Sequence, residues 1–411
     1  MKYEEYKDSG VAWIGEIPSH WEMVKLKYNF TIYAGATPKT EISDLWNGDI
    51  IWITPADYKT TDKYIMCGER TITKKGYDSC NTQIVPRDSL IFSKRAPIGT
   101  VAISGIELCT NQGCLSCVPK GVSTTFFYYA TSVYSEIFDL LGSGATFKEI
   151  SASDFSNVKL ATPPLDEQQA IVNYLDEKCG KINNAIDVQK KKIDLLNELK
   201  QTIITNAVTK GLNPNAPMKD SGVEWIGEIP EHWKIKRTRF LCNIQTGDKD
   251  TVNREDDGLY PFYVRSPKVE RINTYSFDGE AVLMAGDGVG AGKVFHYANG
   301  KFDYHQRVYN LHNFKDVSGL FFYYYILNKF RYIIEEGAAK NTVDSVRLNM
   351  IQDFWMTIPP VSEQQNIVKY IDGEISKIDS QIAKANQRTE LLNELKQSII
   401  TEAITGKIKV C

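Results

Sequence analysis

The stretch KDSGVAWIGEIPSHW, from Lys7 to Trp21, recurs later in the chain as KDSGVEWIGEIPEHW, from Lys219 to Trp233. Thirteen of these 15 positions are identical, and the second copy lies 212 residues after the first. A second block, LLNELKQTIIT from Leu195 to Thr205, returns as LLNELKQSIIT from Leu391 to Thr401, 196 residues later. Two such matches in the same order identify an internal duplication, which constrains the architecture before any single motif does.

The stretches between the repeated blocks are much less alike. Residues 22–162 form a first divergent domain of 141 residues, and residues 234–358 form a second one of 125 residues. Near-identical segments must do one job twice, such as presenting the same surface to two copies of a partner. The divergent domains are free to do two different jobs. We therefore expect a pseudo-twofold arrangement that carries two unlike domains.

The remaining boundaries follow from the duplication. Residues 1–21 and 213–233 contain the repeated tryptophan-rich segments, the second one together with a linker. Residues 163–212 and 359–408 each begin with a proline pair and predict a long helix of roughly 40 residues, about 60 Å long. The expected helix ends are N-caps at Asp166 and Ser362, capping boxes completed by Gln169 and Gln365, and C-terminal glycines at Gly211 and Gly406.

Apolar residues keep one face of both predicted helices. Steps of three and four residues, sustained over this length, predict a coiled-coil seam between two antiparallel helices. An antiparallel pair would also bring the chain termini together. The alternative is a pair of helices that packs elsewhere in a core. The seam residues are Leu175, Cys179, Ile182, Ile186, Ile193, Leu196, Ile203 and Ala207 in the first helix, and Ile371, Ile375, Ile378, Ile382, Ala385, Thr389, Leu392, Ile399 and Ala403 in the second.

Both divergent domains have the sequence pattern of α+β folds. In the first, WNGDIIWITPADY (46–58) predicts a turn and a strand, and SLIFSKRAPIGTVAI (89–103) predicts two strands around a basic turn. The aromatic run at 126–129 predicts a packed helix, and the loop GSGATFKEIS (142–151) follows. The second domain repeats this order with YPFYVRS, FDGEAVLMAGDGVGAGKVFHY, FFYYYILNKF and EEGAAKNTVDS.

Composition excludes some classes of protein. The net charge is −3 with a pI of about 6.1, which argues against a generic polycationic DNA-binding protein. The sequence lacks a secretory signal, an apolar run of about 18 residues and a disulfide framework, so we expect a cytoplasmic protein without a membrane partner. Basic and acidic residues number 14 and 14 in the first divergent domain, and 17 and 15 in the second. Any nucleic-acid contact must therefore be local.

Motifs of catalysis and metal binding are incomplete. GDGVGAGK (286–293) departs from a phosphate loop at Asp287 and at Val294, so we interpret it as a turn between two strands. Cys114 and Cys117 have no second cysteine pair at zinc-ligand spacing, and we expect core thiols. The NPPY-type motif of amino-methyltransferases is absent from the sequence, where Asn215 follows Asn213-Pro214. We therefore predict no catalytic residue and no metal site.

DNA contacts are expected from basic and amide side chains in the predicted loops, because such groups bind phosphates and base edges. The candidates are Lys94, Arg95, Asn111, Gln112, Ser143, Thr146 and Lys148 in the first domain, and Arg265, Lys268, Arg271, Gln306, Arg307, Lys340 and Asn341 in the second.

The chain resembles the specificity subunits of type I restriction–modification systems. The resemblance rests on four elements: WNGDIxWIT, SKRAPIGTVAI, TNQGC (110–114) and PPLxEQQxIV, within the duplicated arrangement. It implies an α+β protein in which two globular target-recognition domains are joined by two long antiparallel helices. Each domain would read one half of a split double-stranded DNA site.

The resemblance also implies partners. Two methyltransferase subunits would bind the repeated helices, at Leu195, Leu196, Leu199, Leu391, Leu392 and Leu395, and restriction and translocase subunits would join them. The chain would bind no cofactor, whereas the methyltransferase would use S-adenosylmethionine and the nuclease ATP and magnesium. Two alternatives stay open. One is a coiled-coil scaffold that bridges two copies of a partner without reading DNA, and the other is an enzyme hidden in the divergent domains.

Overall fold

The chain divides into two units in the computed structural model, which describes residues 2–59, 63–144, 148–338 and 345–410, except the side chains of 335–338. Unit 1 comprises Met1–Val188 and Gln387–Cys411, and unit 2 comprises Gln189–Asn386. Each unit therefore combines one divergent domain with part of each long helix.

Unit 1 contains twelve strands and five short helices among its described residues. The strands are β1 (Tyr6–Asp8), β2 (Glu16–Pro18), β3 (Glu22–Lys25), β4 (Phe30–Ala34), β5 (Trp46–Ile53), β6 (Tyr64–Ile65), β7 (Arg70–Ile72), β8 (Leu90–Ser93), β9 (Val101–Ser104), β10 (Cys109–Thr110), β11 (Cys114–Pro119) and β12 (Lys159–Thr162). The helices are α1 (Leu26–Asn29), α2 (Lys74–Asp78), α3 (Thr124–Val133), α4 (Ser135–Leu141) and α5 (Ala152–Asn157), with 3₁₀ turns at Ser43–Leu45 and Pro55–Asp57.

The core of unit 1 lies between a five-stranded sheet and its helices. The sheet has the order β4-β11-β8-β9-β6, and a three-stranded sheet has the order β10-β5-β7. The predicted hairpin is confirmed, since β8 and β9 pair antiparallel around the basic turn. The predicted aromatic helix is also confirmed as α3, in which Phe126 and Phe127 are fully buried. Pairing of β3 with β12 joins the start of the divergent segment to its end.

Unit 2 has a related element order. Its strands are β13 (Met218–Asp220), β14 (Glu228–Pro230), β15 (Lys234–Arg237), β16 (Asn243–Thr246), β17 (Tyr260–Tyr263), β18 (Glu270–Ile272), β19 (Phe277–Ala285), β20 (Phe295–Tyr304), β21 (Val308–His312) and β22 (Trp355–Ile358). Its short helices are α7 (Gly319–Lys329), α8 (Arg331–Ala338) and α9 (Leu348–Gln352), with 3₁₀ turns at Thr238–Phe240 and Thr251–Asn253.

A six-stranded sheet of order β16-β21-β19-β20-β17-β18 dominates unit 2. The glycine-rich stretch 286–293 connects β19 to β20, which pair antiparallel, so the predicted turn between strands is confirmed. Phe321 and Phe322 of α7 are fully buried against this sheet, as their counterparts are in unit 1. Pairing of β15 with β22 again joins the two ends of the divergent segment.

The two long helices are α6 (Leu165–Lys210), of 46 residues, and α10 (Val361–Ile404), of 44 residues. We name them the first and second long helix. The predicted N-caps Asp166 and Ser362 are wrong, because both residues already lie inside the first turn. The prolines before the helices supply the first carbonyl acceptors: Pro164 accepts from the Gln168 N–H at 2.9 Å and Pro360 from the Gln364 N–H at 3.0 Å.

The predicted capping-box residues Gln169 and Gln365 are therefore also wrong. Gln168 and Gln364 are buried, whereas Gln169 and Gln365 are exposed to solvent. The predicted C-terminal glycines are confirmed, since Gly211 and Gly406 follow the helix ends closely and adopt positive φ angles of 73° and 70°.

Antiparallel helix packing is visible inside each unit. In unit 1, Lys396 Nζ donates to Asn183 Oδ1 at 2.9 Å, and Leu175 shares a buried cluster with Ile404. In unit 2, Lys200 Nζ donates to Asp379 Oδ1 at 2.8 Å, beside a cluster that contains Val208 and Ile371. In each case an earlier position in one helix meets a later position in the other, so the predicted antiparallel arrangement is confirmed. The predicted seam residues are buried or half-buried throughout.

Each repeated segment folds into a small hairpin that seats a tryptophan in the core. Trp21 and Trp233 are fully buried. His20 Nε2 lies 2.8 Å from a carboxylate oxygen of Glu167, and His232 Nε2 lies 2.8 Å from Glu363. These polar contacts anchor the hairpin of each unit to the first turn of a long helix.

The two ends of the described chain meet in unit 1. The Tyr6 hydroxyl donates to the carbonyl of Gly406 at 3.0 Å, and Tyr3, Ile408 and Val410 pack on one core. Neighbouring termini were predicted and are confirmed.

Candidate nucleic-acid interface

Three loops of unit 1 are joined by backbone hydrogen bonds beside the end of β8 and the start of β11. The Lys94 N–H donates to the carbonyl of Gly113 at 2.9 Å, and the Ile150 N–H donates to the carbonyl of Lys94 at 3.1 Å. Ser143 and Glu149 exchange two backbone bonds of 3.0 Å. Six predicted contact residues lie in these loops: Lys94, Arg95, Asn111, Gln112, Ser143 and Lys148. Thr146 lies outside the described residues.

A carboxylate pairs with the basic side chains in this group. Glu149 places one oxygen 2.6 Å from Lys94 Nζ and the other 3.5 Å from Arg95 Nη1. The Lys94 side chain is 13% exposed and that of Arg95 is 34% exposed, so the arginine is the more accessible of the two. Lys148 Nζ lies 2.6 Å from an oxygen of Asp139.

The two amide residues have different surroundings. Asn111 is half-buried, and its side-chain carbonyl accepts from the Gly113 N–H at 2.8 Å, which shapes the turn. Gln112 is exposed and its carbonyl accepts from the Thr37 hydroxyl. Gln112 is therefore the better placed of the two to meet a ligand from solvent.

Four segments of unit 2 meet in a similar way. The Gly286 N–H donates to the carbonyl of Arg307 at 2.8 Å, and the His305 N–H donates to the carbonyl of Tyr263 at 2.9 Å. The Gln306 N–H donates to the carbonyl of Lys249 at 2.8 Å. These bonds join the turn at 305–307 to the glycine-rich loop, to the last residue of β17 and to the loop after β16.

Carboxylates again pair with the predicted residues. Asp287 has one oxygen 3.0 Å from Arg265 Nη1 and the other 3.7 Å from Arg307 Nε. Gln306 Nε2 donates to Asp250 Oδ2 at 2.8 Å. The pKa of Asp250 is lowered, first by the Thr251 backbone N–H that donates to its carboxylate.

Other predicted residues of unit 2 do not join this group. The guanidinium of Arg271 donates to the carbonyls of Gly258 and Leu259 at 2.9 and 3.2 Å, so it holds a loop against β18. Lys268 is 76% exposed and lies 3.4 Å from Glu270. Lys340 and Asn341 lie outside the described residues.

Cys114 and Cys117 do not form a paired site. Three positions apart on β11, they lie in different core clusters, and burial raises the pKa of the Cys114 thiol to about 12. Within the described ranges, no group of three or more His, Cys, Asp or Glu side chains could hold a metal ion. The same part of the chain has no helix that is apolar over enough residues to cross a membrane.

The predicted leucines divide into two classes. Leu195, Leu199, Leu391 and Leu395 are exposed by 64, 47, 57 and 49%. Leu196 is buried and Leu392 half-buried, because these two face the helix seam. Four of the six predicted partner-binding residues thus present apolar side chains to solvent, and we call them the exposed leucines.

Sequence reasoning missed the acidic members of both groups. Glu149 and Asp287 carry carboxylates, whereas the predicted DNA contacts are all side chains that can donate hydrogen bonds. Both belong to loops that the sequence had marked, GSGATFKEIS and GDGVGAGK. A carboxylate in a glycine-rich loop that lies beside basic residues would have been the signal.

A family model described as "Type I restriction modification DNA specificity domain" matches residues 18–200 and again 230–394. Among curated relatives, the type I restriction enzyme MjaIX specificity subunit of Methanocaldococcus jannaschii is 33% identical over 59% of this chain and 56% of its own length. The EcoDI specificity subunit of Escherichia coli is 30% identical over 44% of this chain and 40% of its own length. The chain thus spans about half the length of these relatives.

Solved structures share the fold. A structure described as the "structural basis underlying complex assembly and conformational transition of the type I R-M system" aligns with a TM-score of 0.73 at 15% identity, over 95% of this chain and 99% of the other. The HsdS subunit from Thermoanaerobacter tengcongensis aligns with a TM-score of 0.50 at 15% identity, over 99% and 100%. The two regions that match the family model together cover most of this chain. The chain therefore belongs to the type I restriction modification DNA specificity family.

Proposed function

We propose that this chain reads a bipartite double-stranded DNA site for a type I restriction–modification complex, with one half-site for each unit. One observation carries the proposal: the family model matches twice, once largely within each unit. The curated relatives, named as specificity subunits, support it. The duplicated chain with two divergent domains is what a reader of two different half-sites requires.

The chemistry of the two loop groups fits base reading. Arginine binds guanine O6 and N7 through two donors, and glutamine binds adenine N6 and N7 in the same manner. Arg95 and Gln112 in unit 1, and Arg265, Gln306 and Arg307 in unit 2, supply such side chains on loops held by backbone hydrogen bonds. Each correctly read base pair contributes about 1–3 kcal/mol of discrimination, so two linked readers select a site far better than one does.

The partners belong to the same proposal. Two methyltransferase subunits would dock on the exposed leucines, which occur at repeated positions of the two long helices. Restriction and translocase subunits would complete the complex in the cytoplasm. The chain itself would be non-catalytic and free of cofactors. The methyltransferase would use S-adenosylmethionine, and the nuclease would use ATP and magnesium.

Methylation mapping tests the proposal. The chain is expressed with its methyltransferase partner in a host that lacks other adenine methylation, and modified adenines are mapped across the genome. We expect one motif of two defined halves separated by a gap of fixed length. A single undivided motif would contradict the model of two readers. Modification without sequence dependence would favour the scaffold, which the family match disfavours.

Domain exchange assigns the halves. Replacing residues 22–162 with the equivalent domain of another family member should change one half of the motif and leave the other half and the gap intact. Lengthening both long helices by the same few residues should lengthen the gap only. If the exchange altered both halves, the assignment of one domain to each half would be wrong.

A further inference from the structure

The glycine-rich loop of unit 2 carries a carboxylate between two arginines. Asp287 is the only acidic residue in GDGVGAGK, and its two oxygens face two different guanidinium groups. The Asp287 side chain is 25% exposed, whereas those of Arg265 and Arg307 are 44 and 66% exposed. The carboxylate thus lies beneath two accessible guanidinium groups.

The glycines of this loop allow that placement. A Cβ atom at Gly286 would lie 2.9 Å from the carbonyl oxygen of Arg307, and one at Gly290 would overlap the carbonyl oxygen of Arg265. Larger residues would therefore push the loop away from both arginine-bearing segments. The loop that fails as a phosphate site brings Asp287 to Arg265 and Arg307.

The donors that remain on each arginine suit a base. Arg307 Nε lies 3.7 Å from Asp287, which is an ion-pair contact longer than a hydrogen bond, and its two terminal nitrogens have no partner among the described residues. Arg265 donates to Asp287 through Nη1, and its Nε and Nη2 have no partner in the part of the chain that the structure describes. Either remaining pair matches the O6 and N7 acceptors of guanine in the major groove.

Unit 1 repeats the arrangement with different residues. Glu149 places its two oxygens 2.6 Å from Lys94 Nζ and 3.5 Å from Arg95 Nη1, and among the described residues Nε and Nη2 of Arg95 have no hydrogen-bond partner. A Cβ atom at Gly113 would lie 3.2 Å from Arg95 Nε, so a glycine again stands beside the guanidinium. The two loops differ in sequence, yet each places one carboxylate against two basic side chains.

We propose that Asp287 and Glu149 are positioning residues that hold Arg265, Arg307 and Arg95 in the orientation that reads guanine. This inference rests on the proposed function. A guanidinium fixed by a carboxylate loses less rotational freedom when it binds a base edge, which favours the correct base. The same negative charge repels phosphates, which disfavours sequence-independent binding. Both effects raise the ratio of specific to non-specific affinity.

The test measures that ratio for the complex of this chain with its methyltransferase subunits. Duplexes carrying the mapped bipartite motif are compared with duplexes of equal length and composition that lack it, at one fixed salt concentration. The variants are Asp287→Asn and Glu149→Gln. Matched controls remove a charge from ion pairs elsewhere in the same units: Asp316→Asn, beside Lys236, and Asp78→Asn, beside Lys74.

We expect Asp287→Asn to lower the affinity for the motif and to leave non-specific affinity equal or higher, so that the ratio falls about 10-fold. Glu149→Gln should lower the ratio of specific to non-specific affinity by about 5-fold, because it affects one arginine and not two. Motif discrimination should relax in the half read by the altered unit only. The controls should keep the wild-type ratio.

Two other outcomes are informative. If the wild-type complex does not distinguish the two duplexes, the proposed function fails and this inference fails with it. If the wild type discriminates but the variants match their controls, or lose both affinities equally, the carboxylates have no positioning role and the proposed function stands.

Discussion

Replacing the buried glutamine at the start of the second long helix should destabilise unit 2. Gln364 is fully buried, and its side chain makes three hydrogen bonds of 2.9 Å. Its carbonyl accepts from the Ser318 N–H, and its amide donates to the carbonyls of Asp316 and Pro359. These bonds connect the start of α7 and the end of β22 to the long helix, so Gln364→Ala leaves three backbone groups without this partner.

The magnitude follows from the number of bonds and their burial. The bond to Pro359 is buried and the other two are partly buried. A buried polar group without a partner costs about 1–3 kcal/mol, and a partly buried one costs less because water reaches it. We expect Gln364→Ala to lower the free energy of unfolding of unit 2 by about 3 kcal/mol. Gln168→Ala in unit 1 removes two bonds among the described residues, to Ser123 and to Pro163, so we expect it to lower the free energy of unfolding by about 2 kcal/mol.

Thermal unfolding of the purified variants tests this reasoning. For a unit of this size, about 3 kcal/mol lowers the melting temperature by about 6–12 °C. The neighbouring residues Gln365 and Gln169 are exposed, so Gln365→Ala and Gln169→Ala serve as matched controls and should shift melting by less than about 2 °C. Equal shifts for Gln364→Ala and Gln365→Ala would refute the claim that these buried bonds hold the unit together.

Two further predictions concern the exposed leucines of the long helices and the buried histidines of unit 2. The double variant Leu195→Asp, Leu391→Asp should no longer co-purify with the methyltransferase subunits. It should keep the wild-type melting temperature, because both side chains are exposed. Retained co-purification would refute docking at these leucines. Burial lowers the pKa of three histidines of unit 2. Below about pH 6.5 the unfolded state therefore binds more protons than the folded state does. The stabilisation that unit 2 has above this pH is lost as the pH falls. The melting temperature of unit 2 should therefore fall as the pH is lowered from about 7.5 to 5.5, and it should fall less in the variant His312→Asn. Identical pH profiles of the melting temperature for wild type and variant would contradict this. The three residues are His296, His305 and His312.

The helix starts show how sequence patterns mislead locally. Asp166 and Ser362 match the preferred N-cap types, yet the helices begin before them. Pro164 and Pro360 provide carbonyl acceptors, and Gln168 and Gln364 turn inward to bind backbone groups of the adjoining domain. Tertiary contacts therefore set the phase of the first turn, which a local capping pattern does not include.

The sequence by itself determined the duplication, the two divergent α+β domains, and the antiparallel long helices with their buried seam. These features depend on periodicity and on repeated segments, which survive in the order of residues along the chain. The basic and amide residues of the loops could also be named, because their types are those that bind DNA.

Tertiary structure alone decided which of these residues meet. Arg265 and Arg307 are far apart in sequence and share Asp287, whereas Arg271, only six positions after Arg265, holds a neighbouring loop instead. Likewise Glu149 reaches Lys94 and Arg95 because backbone bonds join three loops. Such neighbours are fixed by strand pairing and loop closure between distant segments, and no local pattern of residue types encodes those distances.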